Sequence, residues 1–262
     1  MNVDSQIIPR DWVATDLDGT LFSRHWAHES AIPGTWREIA CSDGSLQREP
    51  SSWVRPETHR LLMALASAAT IVPVTARDFA SYSRVAVPGL CMNGPAILAN
   101  GAIVLSPDGS ADRQWVAQMS QLLGPWQQRL ERLCEIFIQR SGHIARPRLV
   151  AGPNDLPAYL VAKAPEGWWG GEEGAALLAE IAVEDTYGCS MAVLGNELQI
   201  LPTGFNKAAA LRFVQHRYFA GQFPLLCLGD QIPDLQFMHL GGLLATPAES
   251  TLAKLWTSCT AI

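Results

Sequence analysis

The sequence is short of basic charge, has no paired cysteines and lacks any long apolar run, and each shortage removes a class of function. Lys and Arg number 19 against 25 Asp and Glu, a formal net charge of -6. Without a basic stripe, neither nucleic acid nor a membrane surface is an expected partner. Six cysteines (Cys41, Cys91, Cys134, Cys189, Cys227 and Cys259) are scattered with no Cys-x-x-Cys pair. Disulfide scaffolds concentrate cysteine in small chains, so reduced thiols are expected instead. No apolar run is long enough to span a bilayer. Residues 1–12 carry Asp4, Pro9, Arg10 and Asp11 in place of an apolar signal core, and a cytoplasmic protein is expected. No internal repeat or low-complexity tract is present. What remains is a globular composition, 48% hydrophobic and 17% charged over 262 residues, long enough for two compact units.

Short apolar runs that stop at polar residues mark strands whose carboxyl ends meet a site. Four are clear: Trp12-Val13-Ala14-Thr15 before Asp16, Ile71-Val72-Pro73-Val74 before Thr75, Leu90-Cys91-Met92 before Asn93, and Leu225-Leu226-Cys227-Leu228 before Gly229-Asp230. Leu243-Leu244-Ala245-Thr246 is a fifth, and Pro73 weakens the second because proline removes a ladder donor. Pro56-Glu57 opens a helix carrying Leu61, Leu62, Leu65 and Ala69 at helical spacing, and residues 207–219 read as another. Alternating strands and helices predict an α/β fold built on a doubly wound parallel sheet.

The middle of the chain has a different rhythm. A helical stretch over 115–140 breaks near Gly124-Pro125; strands follow over 148–150 and 159–162. A helix runs through Ala175, Leu178 and Ile181, and strands over 190–194 and 197–201 join at Gly195-Asn196, a tight hairpin turn. The pattern αββαββ predicts a smaller α+β domain at 109–194, inserted into a core of 1–108 and 195–262.

Asp16 and Asp18 follow the first strand directly, with Gly19 and Thr20 after them. Two close carboxylates repel and need a cation or a shared proton. Alone, the run reads better as an Asp-Gly turn with solvated acids. Three further strand or helix ends change that reading. Asp230 and Asp234 add two acids after another apolar strand, and four converging acids suit a hard divalent ion such as magnesium. Thr75 offers a hydroxyl to a phosphoryl oxygen and Lys207 a fixed positive charge, the positioning and neutralisation that phosphoryl transfer needs.

Asp16-Leu17-Asp18-Gly19-Thr20-Leu21, Thr75-Ala76-Arg77, Pro202-Thr203-Gly204-Phe205-Asn206-Lys207 and Gly229-Asp230 with Asp234 together resemble the four ordered motifs of the haloacid dehalogenase superfamily. The insert after the second motif is similar to the α/β cap of its Cof-type, sucrose-phosphate and mannosyl-phosphoglycerate phosphatases, and Asn93-Gly94 matches the Cof-like pattern. The resemblance implies a Rossmann-like core with an inserted cap and a magnesium-dependent phosphatase. It makes Asp16 the nucleophile and Asp18 the acid and base. Thr75 and the backbone after it would hold the phosphoryl group, and Lys207 would balance its charge. Asp16, the Asp18 carbonyl, Asp230 and Asp234 would ligate magnesium. Ala76, Gln231 and Pro233 depart from the family's usual glycine, serine and asparagine.

The expected partner is a small phosphate ester, a sugar or polyol phosphate. Arg77 is the candidate for a second anionic group on it, with Ala76, Asn93 and Gly94 beside the phosphate. Trp168-Trp169 with Glu172 and Glu173 reads either as a sugar-facing wall or as core. Residues 23–55, longer than the family's usual link, read as a flap or as a surface loop packed by Trp26, Trp36 and Trp53. Rival functions are a sugar phosphomutase of the same superfamily, a phospho-accepting regulatory domain and a silent binding protein.

Overall fold

The computed structural model describes residues 11–41, 44–90, 94–184 and 186–259. The chain begins with β1 (Trp12–Thr15), β2 (Ile32–Ala40), β3 (Leu46–Val54), α1 (Pro56–Ala68), β4 (Thr70–Pro73), α2 (Phe79–Tyr82), β5 (Ala96–Leu98) and β6 (Ile103–Leu105). The middle holds α3 (Arg113–Leu123), α4 (Gln127–Arg140), β7 (Arg146–Ala151), β8 (Pro157–Lys163), α5 (Glu172–Glu184), β9 (Cys189–Leu194) and β10 (Glu197–Pro202). It ends with α6 (Lys207–Tyr218), β11 (Leu226–Leu228), α7 (Leu235–Met238), β12 (Leu243–Ala245) and α8 (Thr251–Cys259). Ala111–Asn206 forms one compact unit and the flanking segments form the other. No helix among the described residues is long and apolar enough to cross a membrane.

The flanking segments build a parallel sheet in the order β12-β11-β1-β4. Strand β1 is buried along its whole length because it lies inside this sheet, between β4 and β11. Trp12 anchors its start: the indole is fully buried, stacks on Phe219 at 4.4 Å and donates through Nε1 to the Gln222 carbonyl at 3.0 Å. Pro73 fits in β4 despite its missing donor. The Val74 amide points to β1 and donates to Thr15 (2.8 Å), so the neighbouring Pro73 nitrogen faces away from that ladder. On that outer side, the Thr75 amide donates to Ile97 of β5 at 2.8 Å, and β5 pairs antiparallel with β6. Two of the three residues expected as the strand over 90–92 lie outside the described residues.

Residues 23–55 are not an irregular loop. They contain the antiparallel hairpin β2–β3, with Arg37 paired to Glu49 across it. Its base is tied by two backbone bonds between Ser23 and Trp53 (3.0 and 2.9 Å). A register shift falls at Gly34, where a Cβ would meet the Phe22 Cβ at 2.7 Å.

The inserted unit carries an antiparallel sheet ordered β7-β8-β10-β9. Its core joins Leu130, Leu133 and Phe137 of α4 to Leu160, Leu177, Ile181, Leu198 and Ile200. The unit's second boundary lies at Asn206, not at the expected 194. The physical reason is β10: it pairs with β8 on one side and β9 on the other, so it cannot belong to the parallel sheet. The two-residue turn at Gly195-Asn196 joins β9 to β10 as expected, with Gly195 at φ 62.

Candidate active site

The carboxyl ends of β1 and β11 bring three acids together. One carboxylate oxygen from each of Asp16, Asp230 and Asp234 lies within 4.8 Å of the others, and all three residues are buried. Lys207, the first residue of α6, donates from Nζ to Asp16 Oδ1 and to Asp234 Oδ1, both at 2.7 Å. Asp16 follows β1, and its amide donates to Leu228 of β11 (2.9 Å). Asp234 closes a short turn over Ile232–Asp234, where its Oδ2 accepts from the amides of Asp230 (3.2 Å) and Gln231 (3.1 Å). The turn accommodates both Pro233 and Gln231. Pro233 sits in its first positions, where no amide donor is needed, and Gln231 donates to Asp230 Oδ2 at 2.8 Å.

Thr20, which sequence reasoning did not single out, also reaches this cluster. Its Oγ1 lies 3.4 Å from Asp16 Oδ2 and 3.3 Å from Asp230 Oδ1. Gly19 makes that approach possible: it has φ +81, and a Cβ there would overlap the Asp230 carboxylate.

Fully ionised, three carboxylates facing one ammonium would carry a buried surplus of two negative charges. Burial raises the Asp16 carboxyl well above its ordinary range, and Asp234 and Asp230 add to this against the pull of Lys207. Burial and then Asp234 push Asp230 up to about 6. Lys207 is held charged by Asp16 and Asp234, which outweigh a desolvation penalty acting the other way. An all-oxygen donor set with this surplus fits a hard divalent cation, which Asp16, Asp230 and Asp234 could hold.

Asp18 supplies no carboxylate to that cluster. Its side chain turns to Arg77, which grips it with two bonds, Nε to Oδ2 at 2.6 Å and Nη2 to Oδ1 at 2.7 Å. Arg77, expected to meet an anionic group of the substrate, is thus engaged within the protein. Thr75 follows β4 at the same sheet edge, 1% exposed, and its Oγ1 accepts from the Arg77 amide at 3.2 Å. Ala76 is half-buried in the bend after it. Gly94 is buried ahead of β5, and Asn93 lies outside the described residues.

Trp169 is no sugar-facing wall. It is 3% exposed, packs edge-on against Phe137, and donates from Nε1 to the Asn196 carbonyl at 3.1 Å. Trp168 packs against the same core and points its Nε1 toward Glu173 at 3.4 Å.

No known protein family's profile matches the sequence, and no curated protein matches it either. Solved structures do match in three dimensions. The C-terminal domain of trehalose-6-phosphate phosphatase from C. albicans superposes with a TM-score of 0.60 at 16% identity, over 97% of this chain and 78% of that one. The sucrose-phosphatase from Synechocystis sp. PCC6803, solved with sucrose and phosphate, gives 0.56 at 14% identity, over 97% and 90%. A haloacid dehalogenase-like hydrolase from Bacteroides thetaiotaomicron gives 0.53 at 12% identity, over 95% and 99%. At such identities the likeness establishes architecture alone: the chain shares the fold of these three structures.

Proposed function

We propose that this chain is a magnesium-dependent phosphatase acting on small phosphate monoesters through an aspartyl-phosphate on Asp16. The observation that carries the reading is the buried contact of Asp16 with Lys207, inside a cluster completed by Asp230 and Asp234. Lys207 fixes Asp16 Oδ1, which restricts the carboxylate to one orientation. In the first half-reaction a carboxylate oxygen of Asp16 bonds to phosphorus, the ester P–O bond breaks, and the departing alkoxide takes a proton from Asp18. In the second, water attacks the same phosphorus while giving its proton to Asp18, and the bond to Asp16 breaks to release inorganic phosphate. Thr75, at the same sheet edge, offers its hydroxyl hydrogen to a phosphoryl oxygen. Asp16, Asp230 and Asp234 would hold a divalent cation, whose positive charge would keep Asp16 ionised and offset the phosphoryl oxygens.

A sugar or polyol phosphate is the proposed substrate class. Its support is the resemblance of the motifs together with two structural neighbours described as sugar-phosphate phosphatases. The test is magnesium-dependent phosphate release across a panel of sugar, polyol, nucleotide and phosphopeptide esters. Turnover of the sugar and polyol esters, abolished in Asp16→Asn, is expected. Activity retained in that variant would sink the mechanism, and turnover confined to nucleotides or phosphopeptides would sink the substrate class.

A further inference from the structure

The pair formed by Asp18 and Arg77 has no place in the cluster, yet its guanidinium is held on every side. Asp18 is exposed, with its side chain 56% accessible, and an exposed aspartate samples several rotamers unless something holds it. Arg77 is 17% accessible and held at every part of its guanidinium. Nε and Nη2 grip the two Asp18 oxygens, Nη1 donates to the Ser81 carbonyl of α2 at 3.0 Å, and the plane sits 5.1 Å over the buried Phe22 ring. Backbone ties complete the frame: the Arg77 carbonyl accepts from Ala99 (2.7 Å), and the Gly19 amide donates to Phe22 (2.8 Å).

We infer that Arg77 is a positioning residue for Asp18. It braces the turn after β1 against the segment after β4 and so fixes where the acid–base carboxylate stands. This inference rests on the phosphatase reading above. The two-pronged grip requires a planar fork, so lysine at 77 does not replace it. Because Arg77 acts through Asp18, its loss matters most where a leaving group needs a proton. An alkyl alkoxide does; p-nitrophenolate departs without one.

The experiment compares wild type, Arg77→Met, Arg77→Lys, Asp18→Asn and the Asp18→Asn/Arg77→Met double variant. Substrates are p-nitrophenyl phosphate and an alkyl phosphate that the panel shows to be turned over. Arg77→Met is expected to lower kcat on the alkyl ester about 100-fold, at least about tenfold more than on the aryl ester. Arg77→Lys should not restore it, and the double variant should match Asp18→Asn alone within about threefold. A KM rise that is equal for both esters and persists in the Asp18→Asn background would overturn the inference, because Arg77 would then be contacting substrate directly. A second arm needs no turnover. In protein labelled with ¹⁵N-arginine, the Arg77 Nε–H signal should be protected from solvent exchange in wild type and lose that protection in Asp18→Asn. Unchanged protection refutes the brace. If no ester is turned over, the phosphatase reading falls while this arm still decides the brace.

Discussion

Replacing Asp230 with asparagine is expected to stabilise the metal-free protein at neutral pH, although it removes a proposed metal ligand. Burial and the neighbouring Asp234 raise the Asp230 carboxyl from 3.8 to about 6, with Gln231, Lys207 and Thr20 opposing only in part. Between those values the folded protein holds a proton that the unfolded chain releases. The contribution of Asp230 to stability is therefore intact below pH 3.8 and is lost as pH rises through about 6. A shift of this size corresponds to a penalty of about 3 kcal/mol above pH 6. Asparagine carries no charge to desolvate, but it leaves one of the contacts from Gln231 and Thr20 mismatched, at about 1 kcal/mol. Urea denaturation in EDTA should show Asp230→Asn gaining on wild type between about pH 4 and 6 and leading by about 2 kcal/mol at pH 7.5. Saturating magnesium at pH 7.5 should reverse the order, because wild type, with all three carboxylates, gains more binding energy. A gap that stays flat with pH, or a variant weaker than wild type in EDTA at pH 7.5, would refute the charge-surplus reasoning.

Lys207→Met leaves Asp16 and Asp234 without their shared partner, so phosphate release should fall by roughly 10³-fold, and the metal-free fold should lose about 3 kcal/mol in urea titrations. Gly19→Ala forces a Cβ into the Asp230 carboxylate at a φ of +81; calorimetry with magnesium should show binding weakened by tenfold or more, roughly, while wild-type affinity would refute the tight approach. Trp169→Ala removes a buried ring from the core of the inserted unit and should cost about 3–5 kcal/mol in the transition of that unit, whereas a cost under about 1 kcal/mol would contradict its burial. Burial pushes the Cys227 thiol up to about 12, so it should ignore a thiol reagent at pH 8 until the protein is unfolded.

The parallel sheet was legible because its strands are buried and therefore continuously apolar, as in Trp12-Val13-Ala14-Thr15. The inserted unit was legible as alternation and helical spacing, but its end was not. Residue periodicity shows that Glu197–Pro202 is a strand without showing which sheet it joins. The β2–β3 hairpin escaped notice because Arg37, Glu38, Arg48 and Glu49 break any apolar alternation, and Pro33, Gly34 and Pro50 imitate loop composition. Within the site, acids placed after apolar strands gave the expectation that Asp16, Asp18, Asp230 and Asp234 converge, and the carboxylates of three of them do. Nothing in a linear sequence separates Asp18 from the other three. That division depends on the turn at Gly19 and on Arg77 standing beside it. Thr20 carried a faint signal only, as a hydroxyl next to the Asp-Gly turn.

The strand order places a constraint on how the chain emerges during synthesis. Strand β1 is made some 210 residues before its partner β11, with the whole inserted unit between them. Through that interval an apolar strand carries one open edge, the kind of surface that invites pairing with the wrong chain. The inserted unit draws its core from residues 130–200, so it can close while β1 still waits. The acid cluster forms across the same interval: Asp16 lies 191 residues ahead of Lys207, with Asp230 and Asp234 later still, so it meets all three only after the inserted unit has been made. The inserted unit is therefore complete in sequence before Asp16 can meet any of those three partners.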